Sequence, residues 1–317
     1  MELVETDLGP SPGFSCLCGS EDSLPGFSIE TAVAERTTPF PSPVKLTPVE
    51  DVALAVVPKP TPRTALEADV VLSPTQARTF LGCAARWWFK YGLSLPEPKT
   101  SSLAFGLAMH RALEINFRQK LETKEDLETG GMVTVFRDCW GEQVSQTVFR
   151  QDENSRELVK LGERLIVKYM DEVAPRVEPA AVEMDVQGVI GGVPVVGRID
   201  LIDVQGRLVD IKTASRRPSC VPWDYAFQLA TYRQVTPGAS GEARLDTLVK
   251  TNAVQLIQHS YVVGDADLRA TQVLYPFIQE AIRNGLYLPN RDSVMCSRRH
   301  CAFWQHCQKE YGGTVPA

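Results

Sequence analysis

The sequence predicts an α/β core with a helical N-terminal lobe, and three observations carry that reading. Between residues 73 and 174 apolar side chains recur at helical spacing. From Ala181 the period changes to short, β-branched, alternating runs, the signature of strands. Beyond Trp223 helical and strand patterns mix, as they do where helices cover a sheet.

The elements follow in order. Residues 1–68 hold ten of the 22 prolines and no sustained period. Such a segment buries too little apolar surface to offset its ordering entropy, so a mostly disordered acidic tail is expected, with Cys16 and Cys18 as exposed thiols. A single folded domain is expected over 69–317. Ser73 followed by Pro74 makes an N-cap and first-turn pair, which predicts a helix to about residue 90. Further helices are predicted over 102–120, with Leu103, Leu107, Leu113 and Phe117 among its apolar positions, and over 132–148 and 154–174. Strands are predicted at 181–186, 193–203 and 208–213, the last two joined by the turn V-Q-G-R. A helix over 223–234, strands at 245–252 and 255–263, and a helix over 266–284 complete the pattern.

Bulk properties exclude little. The net charge is −6, but the tail holds ten acids against four bases, so the remaining chain balances at 29 against 29. A neutral body can carry a local basic groove, so charge does not exclude a nucleic-acid partner. No apolar run reaches the roughly eighteen residues that span a bilayer, and the acidic start M-E-L-V-E-T-D is unlike a signal peptide. A cytoplasmic protein without membrane contact is expected. There, eight cysteines are thiols or metal ligands more often than disulfides. Cys139 and Cys220 fit no ligand pattern and are expected to be plain thiols.

The chemistry concentrates in G-R-I-D-L-I-D-V-Q-G-R-L-V-D-I-K-T, residues 197–213. On a strand Asp210 and Lys212 point one way, Val209 and Ile211 the other. The short turn brings Asp200 of the preceding strand alongside Asp210. Two facing carboxylates repel unless a cation lies between them, and Mg²⁺ or Mn²⁺ meets that need. A lysine on the same face can hold a phosphate oxygen or orient water, which suits metal-assisted phosphodiester hydrolysis. A polar hairpin face is the commoner meaning of D-x-K alone. Two patterns accompany it: G-L-A-M-H, with Gly106 and His110 on one helical face, and F-Q-L-A-T-Y-R, with Gln228 and Tyr232 one turn apart.

In this order, G-x-x-x-H, G-R-I-D, D-x-K-T and Q-L-x-x-Y resemble the RecB-type branch of the PD-(D/E)XK nucleases over about residues 70–310. The resemblance implies a restriction-endonuclease-like core, a mixed central sheet flanked by helices. It implies Mg²⁺ or Mn²⁺ held by His110, Asp200 and Asp210 with the carbonyl of Ile211, and Lys212 as the catalytic lysine. Gln228 and Tyr232 take the supporting role beside the site, and Glu183 stands in the place of a further acid. The proline of the family name is Ile199 here, and Asp203, at the turn, rivals Asp200.

Several members of that branch, including the CRISPR-associated exonuclease called Cas four, carry an iron–sulfur cluster on one upstream and three downstream cysteines. The matching residues are Cys83, in T-F-L-G-C, and Cys296, Cys301 and Cys307, in M-C-S-R-R-H-C-A-F-W-Q-H-C. Four thiolates suit a [4Fe–4S] cluster that would clasp the ends of the domain. They also suit zinc, with His300 and His306 nearby, and the C-x4-C spacing is wider than the C-x2-C of such clusters.

The function expected is a metal-dependent deoxyribonuclease, an exonuclease on single strands or duplex ends serving recombination, repair, or phage or CRISPR-associated DNA processing. Arg216, Arg217, Arg298 and Arg299 are candidate phosphate contacts. No G-x-x-x-x-G-K-[ST] loop occurs, so a helicase or recombination partner would be a separate protein. The alternative is a non-catalytic DNA-binding or scaffold subunit that keeps the fold and cluster.

Overall fold

The computed structural model describes residues 70–316. The expectations for 1–68, Cys16 and Cys18 lie outside the described residues.

The chain enters by pairing Leu72 with Val195, then forms α1 (Pro74–Gly82), capped by the Ser73 hydroxyl on the Gln76 amide. The helix predicted to continue to residue 90 is interrupted at Cys83, whose backbone is extended, and resumes as α2 (Ala84–Trp87) and one π-helical turn. The break has competing partners: the Asn290 side-chain amide donates to the Gly82 carbonyl and the Ala85 amide to that of Leu288. The two-residue strand β1 (Lys99–Thr100) leads into the long helix α3 (Ser101–Thr123), capped by Thr100. α4 (Thr129–Val144), the short β2 (Thr147–Val148) beside β1, and α5 (Ser155–Glu172) follow.

The central sheet is five-stranded, in the order β3 (Pro179–Ile190), β4 (Val193–Asp203), β5 (Leu208–Ala214), β6 (Glu242–Val249), β7 (Gln255–Val262). All its pairs are antiparallel except β5–β6. That parallel pair requires a crossover, and α6 (Trp223–Val235) supplies it. α7 (Asp265–Arg283) and α8 (Trp304–Tyr311) close the chain.

Three apolar clusters hold the layers. α3, α4 and α5 bury Phe105, Met109, Phe117, Phe136 and Tyr169 against Val209, Ile211 and Leu248 on one sheet face. α6 packs Leu229, Ala230 and Tyr232 on the other, against Ile199 and Leu208. The third joins the first helices to α7 and the C-terminal segment, with Tyr287 stacked on Trp88 at a centroid distance of 4.4 Å. In α3 the buried face runs through Ala104, Phe105, Ala108 and Met109, so Leu113 and Phe117 are buried as expected while Leu103 and Leu107 are exposed. Cys139 is a buried thiol, as expected. No helix among the described residues is long and apolar enough to cross a membrane.

Candidate active site

The alternation of β5 puts Val209 and Ile211 into the α3–α5 layer and leaves Asp210 and Lys212 on the α6 side. Asp210 Oδ1 accepts from Lys212 Nζ at 2.6 Å and from Gln228 Nε2 at 2.8 Å. Gln228 Nε2 also lies 3.3 Å from the Tyr232 hydroxyl, so one turn of α6 supports that carboxylate. Asp210 Oδ2 is buried and takes no partner among the described residues.

Asp200 and Glu183 reach the site because the alternation of two strands breaks at the same place. Val182 and Leu201 pack in the α3–α5 layer, while Met184 and Ile199, two residues away on their strands, pack on the α6 side. Regular strands keep residues two apart on one face. The ladder pairs Val182 with Leu201 and Met184 with Ile199 but omits the intervening Glu183 and Asp200, and Glu183 has φ +46°. A non-glycine residue there is strained, which a functional site can retain. Both carboxylates thereby turn toward α3: His110 Nδ1 is 3.5 Å from Asp200 Oδ1 and 4.0 Å from Glu183 Oε1. Asp200 Oδ2 accepts the Ile211 amide at 2.7 Å and lies 3.9 Å from Lys212 Nζ.

The electrostatics follow from burial and proximity. Burial opposes ionisation of Asp200, but His110 and Lys212 outweigh it and hold the carboxyl down at about 2. Burial raises Asp210, and the Asp200 charge adds to it against Lys212, to about 6. Burial and Asp200 push Glu183 up to about 7. Burial disfavours the charged Lys212, yet Asp210 and Asp200 raise it well above the ordinary lysine range, so it is an ammonium. His110 is likewise raised, Asp200 outweighing desolvation.

His110, Glu183 and Asp200 offer donor atoms within 4.8 Å of one another, the one such set of three among the described residues. Asp210 stands outside that set of three, although burial and the Asp200 charge both act on its carboxyl and its Oδ2 is orphaned; the donors are mostly carboxylate oxygens, the chemistry that a hard divalent cation requires. The residues present fit Mg²⁺ or Mn²⁺.

Other expectations resolve differently. Asp203 is engaged in the turn, accepting from the Gln205 and Arg207 amides and the Arg207 guanidinium. A Cβ at Gly106 would meet Thr213 Oγ1 at 3.7 Å, ordinary contact, so that glycine is not sterically required. Gly197 is: its Cβ would stand 2.5 Å from Tyr232 Cε1. Tyr225, not among the residues expected from the sequence, has its ring 5.6 Å from Lys212 Nζ and 5.0 Å from the Arg78 guanidinium. The signal was present, since Tyr225 precedes Gln228 by three residues and Tyr232 by seven on one helical face.

Cys83, Cys296, Cys301 and Cys307 line one cavity, although 213 residues separate the first two. Burial and the neighbouring sulfurs push the Cys307 thiol up to about 11, and burial raises Cys301. His300 and His306 are exposed and do not line that cavity. Arg216 and Arg217 are exposed. Arg298 donates to the Val315 carbonyl and covers the Trp304 ring, and Arg299 lies 4.0 Å from Asp152.

A solved structure of a candidate exonuclease from Eubacterium rectale is similar over 74% of this chain and 87% of its own, with 14% identity and a TM-score of 0.50. That likeness bears on the fold, which is restriction-endonuclease-like. The structure of SSO0001, also 14% identical, covers 72% of this chain and 95% of its own, but its TM-score of 0.32 carries no argument. No curated protein matches the sequence. The profile of the PD-(D/E)XK nuclease superfamily matches residues 71–308, which include the four strand and helix motifs and all the residues gathered at the site. The chain belongs to the PD-(D/E)XK nuclease superfamily.

Proposed function

We propose that this protein is a metal-dependent DNA nuclease of the RecB-type branch, an exonuclease that works on single strands or duplex ends in recombination, repair or CRISPR-associated processing. The observation that supports it best is the convergence of His110, Glu183, Asp200, Asp210 and Lys212 from α3 and three adjacent strands. Asp200, Asp210 and His110 would hold Mg²⁺ or Mn²⁺, with Glu183 as a further donor and the Ile211 carbonyl as an additional ligand. When bound, such an ion neutralises phosphate charge and makes water acidic enough to attack. Lys212 donates to a phosphoryl oxygen or orients the attacking water. Gln228 fixes the Asp210 carboxylate, and Tyr232 fixes Gln228.

The four cysteines would carry a [4Fe–4S] cluster. Zinc is the rival, but tetrahedral Zn–S bonds of about 2.3 Å bring thiolates to roughly 3.8 Å from one another. No three of these sulfurs lie within 4.8 Å of one another, and the nearby histidines face solvent. Four thiolates are the complement that a [4Fe–4S] cluster takes.

The exonuclease assignment is tested with linear and circular single-stranded DNA of one sequence in the presence of Mg²⁺ or Mn²⁺. Degradation of the linear form alone is the expected result; cutting of the circle would make the enzyme an endonuclease.

A further inference from the structure

A groove of about 600 Å³ is lined by Arg78, Thr79, Arg86, Trp223, Asp224 and Met295. Tyr225 links it to the site: its ring lies 5.6 Å from Lys212 Nζ and 5.0 Å from the guanidinium of Arg78, which lines the groove and is paired with Asp224. The groove ends at the cysteine cavity, with which it shares Cys83, Arg86, Ser293 and Met295.

Trp223, the first residue of α6, is the outlier in this groove. It is 54% exposed, yet its ring is anchored against Phe227 at a centroid distance of 5.5 Å and 31°. Phe227 is itself buried and packs on Tyr275 at 5.3 Å. A ring fixed from behind and open in front is a stacking platform, with little side-chain entropy left to lose on binding. The groove's two arginines are already committed, Arg78 to Asp224 and Arg86 to Glu97. Its attraction for a polyanion is therefore modest, and its main unsatisfied surface is aromatic.

We propose that this groove takes an unpaired DNA strand leading to or from the scissile phosphate, with one nucleobase stacked on Trp223. A paired base hides both faces within the duplex, whereas every unpaired base offers a π-face that a tryptophan accepts whatever the sequence. This deepens the nuclease reading and rests on it, because Tyr225 touches both Lys212 and the groove's Arg78. It selects single strands through Trp223 and leaves base identity unread.

The test measures binding of a fluorescein-labelled oligothymidylate and of a blunt duplex of equal length to the full chain in EDTA, so that cleavage does not intervene. Trp223→Ala is expected to weaken single-strand binding about tenfold, Trp223→Phe to retain most of it, and duplex affinity to stay unchanged. Stacking contributes little to counterion release, so the salt dependence of single-strand binding should be the same for Trp223→Ala and wild type. An abasic residue walked along the oligonucleotide should abolish the difference between wild type and Trp223→Ala at one position. Equal affinity of wild type and Trp223→Ala for the single strand, or an equal loss on the duplex, would overturn the proposal. Failure of the nuclease reading is a separate result: wild type cuts no DNA with Mg²⁺ or Mn²⁺ present, whatever the binding shows.

Discussion

The carboxylate of Asp200 accepts the backbone N–H of Ile211 at 2.7 Å, where a ladder bond between β4 and β5 would otherwise form. The ladder stops at Leu201 and Val209, two positions before Ile211. Asp200 thus holds the end of β5 and the charge of the site with the same side chain. Asp200→Ala should leave the Ile211 amide unsatisfied and cost about 1–3 kcal/mol, read by urea denaturation without metal. Asp200→Asn keeps an acceptor and should lose less stability than Asp200→Ala. Cleavage should fall on the order of a hundredfold or more in both. An Asn variant that cuts DNA as wild type does would contradict a ligand role for Asp200.

Gly197→Ala tests the seat of Tyr232. The new Cβ would be 2.5 Å from Tyr232 Cε1, and the ring is buried and cannot simply swing away. A loss of about 1–3 kcal/mol in stability is expected, with reduced cleavage as Gln228 loses its support. Gly106→Ala, whose Cβ meets only Thr213 Oγ1 at 3.7 Å, should be nearly neutral in stability. Equal behaviour of the two variants in thermal unfolding would contradict the packing argument.

The carboxyl groups predict a pH dependence whose sign changes with metal. In the metal-free protein Glu183, at about 7, and Asp210, at about 6, keep their protons longer than they would unfolded. From about pH 4, the ordinary carboxylate range, up to about pH 7, the unfolded chain binds fewer protons, so this contribution is lost as pH rises. Asp200, held at about 2, acts oppositely: its contribution is present above the ordinary aspartate range and is lost in acid. Glu183→Gln should therefore flatten the decline in stability between about pH 5 and pH 8. Mn²⁺ needs the carboxylates ionised, so its affinity should rise across the same window, with proton release on binding. Calorimetric titration at both ends of the window checks this, and an affinity independent of pH would contradict it.

Much of the site was legible in the sequence because its pieces are local. Strand alternation in L-V-D-I-K-T separates Asp210 and Lys212 from Val209 and Ile211, and helical spacing pairs Gln228 with Tyr232. The break of alternation at Glu183 and Asp200 was not legible, because it belongs to the pairing of two strands and neither sequence marks it. The interruption of the first helix at Cys83 was hidden for a similar reason: its partners, Leu288 and Asn290, lie some two hundred residues away. In α3, Leu103 and Leu107 counted as apolar, but alanines and Phe105 take the buried face, since close packing on β3 and β5 favours small side chains there.

The cysteine cavity gives a prediction independent of catalysis. Protein purified without oxygen should contain about four irons and matching acid-labile sulfide per chain. Cys307→Ser should lose both and lower thermal stability, because the clasp that joins Cys83 to the C-terminal segment opens. Stoichiometric zinc without iron in the wild-type protein would contradict the cluster.

Asp210 and Lys212 are proposed to serve hydrolysis. Its most direct measurement is the cleavage of end-labelled DNA, with Mg²⁺ or Mn²⁺, by wild type, Asp210→Ala and Lys212→Ala. Metal-dependent degradation by wild type is expected, with its loss, by on the order of a hundredfold or more, in both folded variants. Wild-type protein that leaves every DNA substrate intact, or variants that cut as well as wild type, would contradict it.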